Sequence, residues 1–152
     1  MNMTKKNEPS EIRLERRLRA PVARVFRAWQ DPKDLKAWAW GSIGRKVKAD
    51  VEFRKGGKFS ISTSGSDGQP WSFSGTYTEI VPNHKVVHTL AWDAPMGYAP
   101  MPETVTVDLT DNGEGTTVVF KHAGAFSKEA RAGHSRGWEN VLDTLARHLD
   151  GK

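Results

Sequence analysis

Near the end of the chain, Gly137 to Leu149 (GWENVLDTLARHL), Trp138, Val141, Leu142, Leu145 and Leu149 fall on one stripe, and Glu139, Asn140, Asp143, Thr144 and Arg147 fall opposite. That spacing predicts an amphipathic helix with one buried face. Near the start the period is different. From Glu11 to Arg19, Ile12, Leu14 and Leu18 alternate with charged residues, the pattern of a half-buried strand. Ala20-Pro21 then opens a helix, with Pro at the favoured first position and Val22, Val25, Phe26 and Trp29 on its inner face. Asp31-Pro32 breaks it, and a second short helix runs from Pro32 to about Trp38.

From Val47 onward the period is two. Strands are expected at Val47–Phe53, Lys58–Thr63, Trp71–Val81, Lys85–Trp92, Glu103–Leu109 and Thr116–His122. Turn residues punctuate them: Lys55-Gly56-Gly57, Ser64 to Gly68, Pro82-Asn83-His84 and Asp111-Asn112-Gly113. Asp93 to Pro102 carries three prolines, two methionines and a tyrosine, a loop too apolar for open solvent. The closing helix begins between Ser127 and Gly137. The expected order is β-αα-β6-α, in one domain over residues 10–152 behind a polar tail at 1–9.

Composition narrows the class. With 152 residues, 37% of them apolar and 27% charged, the chain fits a single soluble domain. No apolar run reaches the roughly 18 residues that span a bilayer, and the N-terminus lacks an apolar signal core. With no cysteine, disulfides, thiol nucleophiles and cysteine-ligated zinc are excluded. A cytoplasmic protein without membrane contact is expected. The net charge of +5 is uneven: residues 1–60 hold 16 Lys and Arg against 7 Asp and Glu, and the remainder 7 against 11. The first strand's arginines belong on a solvent face and no nucleic-acid motif accompanies them, so nucleic acid is not an expected partner, while an acidic protein surface is left open.

No nucleophile elbow, phosphate loop or dinucleotide fingerprint is present. His84 and His88 would stand roughly 13 Å apart along a strand, and His88, His122 and His134 lack ligand spacing. No metal and no cofactor is expected.

Several marks in order carry a resemblance: Ala20-Pro21 with Val25, Phe26 and Trp29; Asp31-Pro32 with Leu35 and Trp38; Asp50 before Arg54-Lys55-Gly56-Gly57-Lys58-Phe59; Gly75 to Pro82; and His122 through Gly137-Trp138 to Leu142 and Leu145. In these the chain resembles the START-like helix-grip (SRPBCC) superfamily, and within it the bacterial family related to the activator of heat-shock protein 90 ATPase. The resemblance implies an α+β helix-grip fold, a curved antiparallel sheet with two short helices wrapped around a long C-terminal helix. It also implies a cavity between sheet and helix, with Trp138 at its mouth.

Strand parity puts Trp71, Phe73 and Tyr77 on one face, and His88, Leu90 and Trp92 on one face of the next strand. Together with Trp38, Trp40, Phe126 and Trp138 these are candidate ligand-binding residues, although the pattern alone fits core packing as well. Met96, Tyr98 and Met101 suit a lid over an apolar ligand. His134, one helical turn before Trp138, would orient a ligand hydroxyl or carboxylate, or face solvent. The expected function is binding of a small, largely apolar ligand. A chaperone-activator-like interaction domain is the alternative, and enzyme activity is left open, without a catalytic motif to support it.

Overall fold

The computed structural model describes residues 8–38, 47–64, 70–94, 103–126 and 128–150. Along these the elements run β1 (Glu8–Leu18), α1 (Val22–Gln30), α2 (Pro32–Trp38), β2 (Val47–Val51), β3 (Lys58–Ser64), β4 (Pro70–Val81), β5 (Lys85–Ala94), β6 (Glu103–Asp111), β7 (Thr116–Phe126) and α3 (Lys128–Leu149). This is the order the changes of period imply, and the fold is the helix-grip α+β fold.

One antiparallel sheet holds all seven strands in the order β1-β7-β6-β5-β4-β3-β2. β2 to β7 follow one another as hairpins, and β1 closes the far edge by pairing with β7 from Glu8↔Phe126 to Leu18↔Thr116. Pairing therefore begins before Glu11, where the alternation starts. Pro9 is tolerated because β1 is an edge strand with one ladder to satisfy. β4 carries register shifts between Ser72 and Phe73 and between Tyr77 and Glu79, the kind of irregularity that bends a sheet.

Glycine is needed at two places. Gly56, in the β2–β3 turn, has φ +83°, which L side chains resist. At Gly75 a Cβ would lie 1.9 Å from the Thr89 carbonyl oxygen, so a side chain there would push β4 and β5 apart.

Pro21 precedes the first helical residue of α1, one position earlier than expected, and its carbonyl accepts from the N–H groups of Arg24 and Val25. Asp31 ends α1 and caps α2, its carboxylate accepting the Lys33 N–H at 2.9 Å. The Trp38 indole N–H donates to the Ala28 carbonyl at 2.9 Å, tying the two helices together, and its ring packs edge-on against Trp29. α3 buries Val141, Leu142 and Leu145, the stripe read from sequence. Its far end is clamped by Asp34, which accepts from Arg24 Nη2 at 2.8 Å and faces His148 Nε2 at 2.6 Å. Burial opposes ionisation of Asp34, but Arg24 and His148 outweigh it and hold its carboxyl below the usual range.

Candidate functional site

A single cross-strand row forms the floor beneath α3. Tyr77 pairs with His88, His88 with Val105, Val105 with His122, and His122 with Ile12, so the row crosses β4, β5, β6, β7 and β1. All five side chains are buried. Alternation puts them on the inner face, and two imidazoles and a phenol thus stand in an otherwise aliphatic and aromatic layer.

A cavity of about 40 Å³ lies between this floor, α3 and the two short helices. Its walls are Trp29, Leu35 and Trp38 from α1 and α2, Phe59, Ile61, Phe73, Tyr77, His88, Val105 and Phe120 from the sheet, and Trp138 and Val141 from α3. That volume has room for a few water molecules and is far below the roughly 300 Å³ of the smallest ordinary ligand sites. A wider groove of about 580 Å³ lies elsewhere on the sheet, along Asp50, Glu52, Lys58, Ser60, Ser74, Thr76 and Thr89. Phe59 is its one aromatic wall, and none of the candidate ligand-binding residues read from sequence lines it.

His88 is 8% exposed, and its Nδ1 lies 2.8 Å from the Thr89 carbonyl oxygen. A carbonyl only accepts, so Nδ1 carries the proton and Nε2 presents a lone pair. The ring stands edge-on to Phe59, with centroids 4.7 Å apart, and near Tyr77 at 6.0 Å. Burial among them drives its pKa down to about 4, against the hydrogen bond to Thr89, and nearby His122 adds to the fall. The Tyr77 hydroxyl is held protonated by burial as well.

His122 is the opposite tautomer. The Trp138 indole N–H, which can only donate, points at His122 Nδ1 from 2.9 Å. Nδ1 is therefore the acceptor, and Nε2–H donates to Glu103 Oε1 at 2.7 Å. Trp138 also lies against Phe120, with ring centroids 4.4 Å apart. A half-buried indole, the one polar-tethered wall of the cavity on α3, is thus held by an imidazole that a carboxylate orients in turn.

A family model for activator of Hsp90 ATPase homolog 1-like proteins matches residues 19–150. The chain belongs to that family. Solved structures agree. A protein from Chromobacterium violaceum is 27% identical, with TM-score 0.78, covering 91% of this chain and 96% of its own. One from Rhizobium leguminosarum is 26% identical with TM-score 0.79, covering 95% and 97%. A Staphylococcus aureus protein, at 19% identity and TM-score 0.80 over 96% of both chains, shares the fold. No curated protein sequence matches.

For this member of the activator of Hsp90 ATPase homolog 1-like family, five of the candidate ligand-binding residues read from sequence meet at the cavity: Trp38, Phe73, Tyr77, His88 and Trp138. Trp71 and Trp92 are placed in β4 and β5, Phe126 in β7 and His134 in α3, but their side chains lie outside the described residues. Trp40, Met96, Tyr98 and Met101 lie outside them altogether. Trp29, placed above on the inner face of the first helix and not among the candidate binding residues, also lines the cavity. The pairing of Trp138 with His122 and Glu103 was not foreseen. The inward parity of Phe120 and His122 was a signal that His122 faces the helix, but the partner depends on the rotation of α3.

Proposed function

We infer that this protein is an intracellular binding module for a small, largely apolar ligand, held between the sheet and α3 and admitted by displacement of Trp138. The observation that carries this reading is the cavity itself, lined mostly by aromatic and aliphatic side chains and bounded on α3 by a half-buried tryptophan. A cavity of about 40 Å³ cannot take a ring without enlargement. Trp138 is the wall best suited to yield, because it is half-buried while Val141 and Phe120 are fully buried. Ligand entry then exchanges one aromatic surface for another, so little net apolar area is exposed.

The family description also supports a chaperone-contact role. Among the described residues, however, Val81 is the one large hydrophobic side chain left exposed, which gives an apolar docking patch little to build on. Part of the basic half is also paired internally, Arg16 with Asp143, Arg24 with Asp34 and Arg54 with Glu52.

Native mass spectrometry of the purified protein, with tryptophan emission during titration with toluene, tests the cavity reading. A retained small molecule, or a saturable emission change, is expected. An unliganded mass together with a flat titration would refute it.

A further inference from the structure

The polar atoms of the cavity define the ligand more closely, on the footing of the reading just given. Buried polar groups nearby are paired: the Thr116 hydroxyl donates to the Ala20 carbonyl at 2.7 Å, the Trp38 indole to Ala28, and both His122 nitrogens are engaged. Tyr77 and His88 differ. The Tyr77 side chain is 3% exposed, and its hydroxyl takes no protein partner among the described residues. His88 spends Nδ1–H on the Thr89 carbonyl, and its Nε2 takes none. The two residues are directly paired across β4 and β5, and both line the cavity. Buried polar atoms without partners are rare and costly, and each asks for an absent group.

We propose that the Tyr77 hydroxyl and His88 Nε2 together anchor the hydroxyl of an otherwise apolar alcohol or phenol. The assignment follows from counting donors and acceptors. Nε2 offers a lone pair and requires a donor, whereas the phenolic O–H of Tyr77 is a donor seeking an acceptor. A ligand hydroxyl is both, donating to Nε2 and accepting from Tyr77. An ether or ketone satisfies Tyr77 and leaves Nε2 facing a lone pair. A carboxylate requires a protonated imidazole, which the apolar surroundings of His88 oppose. An ammonium finds no carboxylate among the residues that line the cavity. Specificity of this kind comes mainly from the penalty of leaving buried polar groups unpaired.

The test compares four probes that share one ring: toluene, p-cresol, 4-methylanisole and p-toluate, titrated calorimetrically into the wild-type protein. p-Cresol should bind roughly five- to a hundredfold more tightly than toluene, the worth of about two net hydrogen bonds, with 4-methylanisole between them and p-toluate the weakest. In nitrogen-15 NMR spectra, p-cresol should move the His88 Nε2 resonance and toluene should not. Tyr77→Phe and His88→Leu should each bring the p-cresol to toluene affinity ratio toward one. If p-cresol and toluene bind alike and the His88 signal stays in place, the anchor is refuted and the cavity reading survives. If no probe binds, both fall together.

Discussion

Tyr77→Phe should make this protein more stable, the reverse of what removing a buried tyrosine hydroxyl usually does. Where such a hydroxyl is hydrogen-bonded, its loss costs about 1 kcal/mol. Here the oxygen is buried with no protein partner among the described residues, and burying a hydroxyl unpaired costs roughly 1–3 kcal/mol. The ring contacts with Phe53, at 5.0 Å between centroids, and Phe59, at 5.4 Å, do not involve the oxygen and survive the substitution. The expected gain is therefore about 1–3 kcal/mol. For a domain of this size, each kcal/mol moves the melting temperature by roughly 2–4 °C. Calorimetric melting of the ligand-free proteins at pH 7 should show the variant higher by several degrees. An equal or lower melting temperature would refute the reasoning, because it would mean that bound water already satisfies the hydroxyl. The same substitution should erase the preference for p-cresol, so stability and selectivity move in opposite directions at one atom.

Acid should weaken the fold before its carboxylates titrate. The folded-state pKa of His88 lies near 4, below the unfolded value of 6.5, so its contribution is complete above pH 6.5 and is lost as pH falls toward 4. About 3 kcal/mol is expected to disappear across that window. Urea unfolding at pH 7, 5.5 and 4.5 checks this, and His88→Leu with an unaltered pH profile would contradict it. Trp138→Phe keeps the ring against Phe120 and removes the indole donor to His122, at an expected cost of about 1–2 kcal/mol; a stability change within measurement error would mean that the indole tether is not holding. Asp34→Asn removes the charge that faces both Arg24 and His148 and should cost roughly 1–3 kcal/mol. Hydrogen exchange should locate the loosening at the C-terminal turns of α3, and unchanged protection there would argue against the clamp.

The fold was largely legible from sequence because its signals are local. The break at Asp31-Pro32, the glycine turn at Lys55-Gly56-Gly57 and the shift from a period of 3.6 to one of two each fix an element without reference to the others. The inward parity of Phe73, Tyr77 and His88 was legible for the same reason. Parity says which face a residue takes but not what it meets across the space, so the place of Trp29 in the cavity wall and the Trp138–His122–Glu103 chain went unseen. That chain depends on the rotation of α3 about its axis and on the register of β6 against β7, where Val105 pairs with His122. Neither is encoded in a short window. The volume left between the walls is a small difference between large packed volumes, which a sequence pattern does not contain.

The pairing of β1 with β7 has a consequence for the order in which the protein can be made. β1 is the first strand of the sheet to leave the ribosome, yet its hydrogen-bonding partners, Thr116 to Phe126, belong to the last. At roughly 5–20 residues per second, the interval between the end of β1 and the end of β7 is several seconds or more. During that time Ile12 and Leu18, both buried in the finished fold, have nothing native to cover them from the far edge. Nascent chains halted before Thr116 should accordingly be cleaved readily by protease within β1 and become resistant only once β7 has been added. A resistant β1 in the shorter chains would show that the strand finds cover by some other route.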